Sequence, residues 1–193
     1  MKILGIVCSP RKNGNTEILV REALKVAQEA GCETEIFLMA EKKVAPCLAC
    51  ATCFRTGACI QKDDMQELVK MFDTASGIIL GTPVYFHNVS AQAKAVMDRT
   101  FALLMKRPLK GKAAAAIVTT RRIGASQTRA LVYDFFIAHG MIVAGGAIGY
   151  GPNPGDVLTG VGGGINISAL EEARSAGKDI VELAFKLQGA SRR

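Results

Sequence analysis

Ile3-Leu4-Gly5-Ile6-Val7-Cys8 runs directly into Ser9-Pro10-Arg11-Lys12-Asn13-Gly14-Asn15-Thr16, and the change of character at Ser9 points to an architecture. The first six residues form an apolar run, which suits a strand covered on both faces in a parallel sheet. The next eight are dense in turn formers. A helical pattern follows over 16–30, with Ile18, Leu19, Leu24 and Ala27 on its apolar face and Gly31 as its stop. Strand, turn and helix in that order open a βα unit.

The alternation continues to the end of the chain. Residues 34–38 alternate polar and apolar, as in a strand nearer the sheet edge. Asp64-Met65-Gln66-Glu67 reads as a capping box opening a helix through Leu68, Val69 and Phe72. Residues 77–81 make another short apolar strand, and Ser90 caps a helix expected to run to about 105. A strand at 113–119, a helix at 126–139, a fifth strand at 141–147, a glycine-rich stretch at 145–164 and a helix at 168–187 complete the pattern. Five strands alternating with helices imply right-handed crossovers and a parallel sheet covered on both sides. The expectation is one doubly wound α/β domain over 1–193, without repeats or linkers. Ligands of such sheets bind beyond the carboxyl ends of the strands, so functional residues belong in the loops after strands one, three and four.

Composition narrows the function classes. At 193 residues and 49% hydrophobic, the chain is long enough for one well-cored domain and is not a disordered one. No stretch reaches membrane length without a charge, Gly or Pro, and the first apolar run is too short for a secretory signal. A soluble, cytoplasmic protein with no membrane partner is the expectation. The formal charge of +7 fits either a solvated basic surface or attraction of anions, such as a phosphorylated cofactor or an acidic protein. The Lys and Arg residues are scattered, which argues against nucleic acid, and Arg192 and Arg193 read as a frayed tail. The two His residues, His87 and His139, have no recognisable triad context, so no catalytic nucleophile–base pair is assigned.

The loop after the first strand offers hydroxyl, amide and glycine-permitted N–H groups at a helix N-terminus, a ready anion site. Ser9, Asn13, Gly14, Asn15 and Thr16 supply these groups, and Arg11 or Lys12 could add charge to a phosphate. The loop is neither a Walker A nor a dinucleotide fingerprint, so a mononucleotide phosphate fits better than a pyrophosphate. An ordinary βα turn remains the plainer reading of the same residues. After the third strand, Thr82-Pro83-Val84-Tyr85-Phe86-His87-Asn88 places aromatics at the mouth of the sheet. They either lie beside a planar heterocycle or fill space under the next helix.

Four cysteines, Cys47, Cys50, Cys53 and Cys59, are spaced C-x2-C-x2-C-x5-C. Thiolates three apart on a tight loop can wrap one corner of an iron–sulfur cluster, which the fourth closes. A structural zinc usually pairs two close ligands with two more across a longer spacer, and redox-active thiols are a third reading. Asp63 and Asp64 read as helix caps, not ligands. Cys8 and Cys32 stand apart and read as small buried hydrophobes.

Together these motifs resemble the NAD(P)H-dependent FMN reductase family of the flavodoxin-like superfamily. The residues that carry the likeness are Ser9-Pro10-Arg11 with Gly14-Asn15-Thr16, Thr82 through Phe86, Lys94 with Asp98-Arg99, and Ala173-Arg174 with Gly177-Lys178. The resemblance implies a flavodoxin-like sheet of order 2-1-3-4-5, an FMN phosphate on Ser9 to Thr16, and the flavin ring on Pro83, Val84, Tyr85, Phe86, His87 and Asn88. A third flavin loop then falls on 119–124 with Thr120 as a contact, although Arg121-Arg122 depart from the glycine-rich form expected there. The segment 46–63 resembles the cysteine motif of the iron–sulfur flavoprotein branch, which implies a 4Fe-4S cluster on the four cysteines beside FMN. That branch implies one-electron transfer from ferredoxin or another redox protein, and a homodimer or homotetramer. The alternative within the family is an NAD(P)H-dependent flavin or quinone reductase with a structural cysteine loop.

Overall fold

The computed structural model describes residues 1–160, 162 and 167–190. Five strands form one sheet in the order β2-β1-β3-β4-β5: β1 (Lys2–Val7), β2 (Glu33–Leu38), β3 (Gly77–Pro83), β4 (Ala113–Thr120) and β5 (Ile142–Tyr150). Every neighbouring pair is parallel, so the flavodoxin-like topology stands as expected. The six α-helices of the described residues are α1 (Asn15–Glu29), α2 (Thr52–Thr56), α3 (Met65–Thr74), α4 (Ala91–Arg99), α5 (Ala125–Ala138) and α6 (Ala169–Ala190).

Period-two alternation along the strands builds two cores from one sheet. Leu4, Ile6, Ile78 and Ala116 face Leu68, Phe72, Val96 and Phe136 of α3, α4 and α5. Ile3, Val7, Ile79 and Ile117 face Leu19, Val20, Leu24 and Ile180 of α1 and α6. Burial on both faces explains why β1, β3 and β4 read as apolar runs. Each fully buried Leu or Ile contributes about 1.5–3 kcal/mol. No helix among the described residues is long and apolar enough to cross a membrane.

Three local expectations need correction. The helix expected to reach 105 ends at Arg99, and Thr100–Leu103 tightens into a 3-10 turn. There the Thr100 hydroxyl donates back to Met97 O at 2.6 Å, a local competitor for the helical ladder. The capping box expected from Asp64 does not form, because Asp64 is itself helical and its carboxylate accepts the N–H of Lys43 at 2.7 Å. Asp63 takes over the cap, accepting from the N–H of Met65 at 3.2 Å. In the glycine-rich stretch, 145–150 belongs to β5, while 161, 163–166 and the tail arginines lie outside the described residues.

Candidate functional site

The carboxyl ends of β1, β3, β4 and β5 surround a cleft of about 260 Å³. Ser9, Arg11, Gly14, Asn15, Thr16, Pro83, Val84, Tyr85 and Thr120 line it, so residues more than a hundred positions apart meet in one place. Helix α1 starts on Gly14, which has no side chain to cap it. Its first N–H groups have no intrahelical acceptor, and the residues that carry them, Asn15 and Thr16, line the cleft where an anion would find donors. A Cβ on Gly14 would stand 3.3 Å from the Arg11 side chain and 3.8 Å from Ser9 Oγ, so glycine keeps this cradle clear. Thr16 and Thr119 share a 2.6 Å hydroxyl hydrogen bond that fixes α1 to β4.

Several neighbours of the cleft already have partners. The Asn15 amide donates to Gly151 O (3.1 Å) and Asn153 O (2.8 Å) and accepts the N–H of Gly155 (2.8 Å), strapping the loop after β5 onto α1. Lys12 pairs with Glu41 at 3.3 Å. The N–H of Asn13 is taken by Glu17, a buried carboxylate that also holds Arg21. Neither Lys12 nor Asn13 lines the cleft.

The loop after β3 folds into a tight turn. Tyr85 and Asn88 exchange both backbone hydrogen bonds, at 2.9 and 3.0 Å, and Phe86 and His87 between them are left-handed at φ 50° and 61°. For non-glycine residues this costs about 1–2 kcal/mol each, strain of the kind found at functional rims. The turn leaves Phe86 fully exposed at 102%, and neither Phe86, His87 nor Asn88 lines the cleft. The β4 loop touches this turn: a Cβ on Gly124, at φ 90°, would approach His87 Cα at 3.1 Å and Val84 Cγ1 at 3.0 Å. Arg121, Thr119, Gly151, Pro152 and Pro154 also line the cleft but were not singled out as ligands. The loop after β5 leaves a strand carboxyl end just as those after β1, β3 and β4 do, and ligands of such sheets gather there.

A second cavity, of about 520 Å³, is lined by all four clustered cysteines, with Phe54, Ile60, Met97, Phe101 and His139 among its walls. Cys53 rides on α2, which is anchored by an edge-on contact of Phe54 with Phe101 at 4.8 Å. Left-handed Ala49 and Ala51 (φ 51° and 54°) turn the chain between the cysteines. The N–H of Ala49 donates to Cys47 Sγ at 3.4 Å. Hydrogen bonds from the Thr52 backbone and side chain, with Arg55 nearby, hold the Cys50 thiol below its usual pKa. Cys8, by contrast, is pushed up to about 12 by complete burial. Among the described residues no three His, Cys, Asp or Glu side chains converge tightly enough to hold a metal ion. The sulfurs share a cavity without meeting at one point.

The residues suit both groups that the sequence implied. The cleft joins an uncapped helix N-terminus to Arg11 at one end and Pro83, Val84 and Tyr85 at the other, which matches a phosphate and a flat ring. The cysteine cavity offers four soft sulfur donors within apolar walls, the donor set favoured by iron–sulfur clusters and zinc alike. The two sites sit at opposite ends of α4. Ser90 at its start donates to Cys8 O and receives the N–H of Ala93, while Arg99 at its end lines the cysteine cavity.

The comparisons agree with this geometry. Residues 1–152 match the family described as NADPH-dependent FMN reductase. An iron–sulfur flavoprotein of Methanocaldococcus jannaschii is 42% identical, covering 95% of this chain and 97% of that protein. An iron–sulfur flavoprotein of Methanosarcina thermophila is 37% identical over 96% and 98%. A solved structure of RosB shares the fold with a TM-score of 0.77 at 17% identity, covering 98% of this chain and 81% of that one. The chain therefore belongs to the NADPH-dependent FMN reductase family, in its iron–sulfur flavoprotein branch.

Proposed function

We propose that this protein is an FMN-binding electron carrier with a 4Fe-4S cluster on Cys47, Cys50, Cys53 and Cys59, reduced by ferredoxin or a similar one-electron donor. The observation that carries the reading is the presence of all four thiols on one cavity wall in a chain whose close relatives are iron–sulfur flavoproteins. When bound, the cluster handles single electrons and FMN one or two, so the pair links donors of different kinds.

The chain's own residues bind and shield. Ser9, Gly14 and Thr16 at the α1 N-terminus receive the phosphate, and Arg11 neutralises it. Pro83, Val84 and Tyr85 take one edge of the ring, and Asn15 holds the loop after β5 as the opposite wall. Leu48, Phe54, Ile60 and Phe101 line the same cavity and give the sulfurs apolar neighbours. The surplus of basic side chains speeds encounter with an acidic partner.

The family's description favours a second reading, direct reduction of the flavin by NAD(P)H for a quinone or free flavin. Anaerobic rapid mixing separates the two. Reduced ferredoxin should bleach the FMN within a few seconds, whereas stoichiometric NADPH or NADH should leave it oxidised. Rapid bleaching by the nicotinamide, with none by ferredoxin, overturns the electron-carrier reading.

A further inference from the structure

Among the described residues Arg99 is the largest fully buried side chain, and all of its visible bonds serve the cysteine loop. Nη1 donates to Asp63 Oδ2 at 2.7 Å and to Ala45 O at 2.9 Å, and Nη2 donates to Asp63 Oδ1 at 2.9 Å. Asp63 Oδ2 also accepts the N–H of Ala45 at 3.0 Å. Ala45 precedes Pro46-Cys47 and Asp63 follows Cys59 by four residues, so one guanidinium closes the neck of the loop that carries all four thiols. These bonds use three of the five guanidinium N–H groups and leave one nitrogen, Nε, without any partner among the described residues. Arg99 Nε is also buried, a condition that calls for an explanation.

The surroundings of that donor point to sulfur. Arg99 and Cys59 together line both the cysteine cavity and a second cavity of about 350 Å³ behind the loop. The Asp63 carboxylate, with oxygens 2.7 and 2.9 Å from Nη1 and Nη2, holds the guanidinium as a charged, oriented group beside the loop. Helix α4 holds this charge in place. It is pinned at Ser90 to the carboxyl end of β1 through Cys8 O, and Arg99 lies nine residues further on, about 14 Å along the axis at 1.5 Å per residue.

We propose that Arg99 is a positioning residue for the cluster assigned above to the four cysteines: it locks the loop neck through Asp63 and Ala45, and it sets a fixed positive charge and a spare N–H beside Cys59 that raise the cluster's reduction potential. The inference rests on the cluster reading. Adding an electron makes a thiolate-bound cluster more negative, so a neighbouring charge or N–H···S bond favours the reduced form. A purely structural ion pair would alter iron retention and stability but leave the potential alone.

The test uses anaerobic holoprotein and three variants, Arg99→Gln, Arg99→Lys and the double variant Asp63→Asn/Arg99→Gln. Three quantities are read: iron loss to a chelator, the cluster potential by EPR-monitored titration, and the FMN potential as an internal reference at the far end of α4. Arg99→Gln should lose iron 10–100-fold faster, the usual effect of removing an outer-shell partner, with a more negative cluster potential and an unmoved FMN potential. Arg99→Lys keeps the charge and should stay near the wild-type potential. The double variant leaves no unpaired buried charge, so it folds even where Arg99→Gln does not, and its cluster potential should still be more negative. A wild-type cluster potential in the double variant, or an equal shift in Arg99→Lys and Arg99→Gln, overturns the inference alone. Wild-type protein that binds FMN but no iron overturns the cluster reading, and this inference with it.

Discussion

Asn15 engages its whole side-chain amide in holding the loop after β5, with three hydrogen bonds of 2.8 to 3.1 Å. Each such bond contributes about 1 kcal/mol net. Asn15→Ala should therefore lower stability by about 2–3 kcal/mol and weaken FMN binding about tenfold or more, since 1.4 kcal/mol is one decade. Urea unfolding of the apoprotein and flavin-fluorescence titration check the two effects separately. His139 carries a pH dependence. Burial first and the nearby Arg107 second hold its pKa below the ordinary 6.5. Because the Thr100 hydroxyl donates to Met97 O, it accepts from His139 Nε2 at 2.9 Å, which fixes the neutral tautomer. A depressed folded pKa means the unfolded chain takes up the proton first. The stabilising contribution is thus complete above about pH 6.5 and is lost as pH falls through the lower folded value. Stability of the wild type should drop between pH 7.5 and 5 more steeply than that of His139→Gln, and equal slopes would contradict this. At this scale the four cysteines were legible because their spacing is local. Arg99 with Asp63 was not, because 36 positions separate a buried arginine from its partner and periodicity records only that one face of α4 is covered.

Helix α4 shows how an element joins the two sites. Ser90 Oγ accepts the N–H of Ala93 at 3.1 Å and donates to Cys8 O at 2.5 Å, serving as both N-cap and bolt to β1. Ser90→Ala removes the cap and leaves a buried carbonyl unpaired, so about 2 kcal/mol of stability should be lost, measured by denaturant unfolding at constant m. Gly124 is the left-handed N-cap residue of α5. An alanine there would take up φ 90° and crowd His87 and Val84, so Gly124→Ala should cost about 1–2 kcal/mol and reduce FMN affinity together. The central strands could be read directly, since burial on both faces leaves an apolar signature. Two helix ends could not: a distant partner, the Lys43 N–H, draws Asp64 from its expected cap, and a local bond from Thr100 to Met97 O ends α4 early.

Across the whole molecule a charge of +7 favours an acidic partner at long range. Screening shortens the reach of that field from about 10 Å at 0.1 M salt to about 3 Å at 1 M. Reduction by ferredoxin should therefore slow about tenfold or more over that range, while reduction by dithionite at fixed pH should change far less. Stopped-flow traces at several salt concentrations check this. In the proposed arrangement one chain holds a flavin at the carboxyl edge of its sheet and a cluster at the far end of α4. The most direct measurement is the iron, zinc and flavin content of anaerobically purified protein, taken with its visible spectrum. About four iron atoms and one FMN per chain are expected, with broad cluster absorption at about 400 nm beneath the flavin bands. FMN accompanied by zinc, or by no metal, would contradict this arrangement.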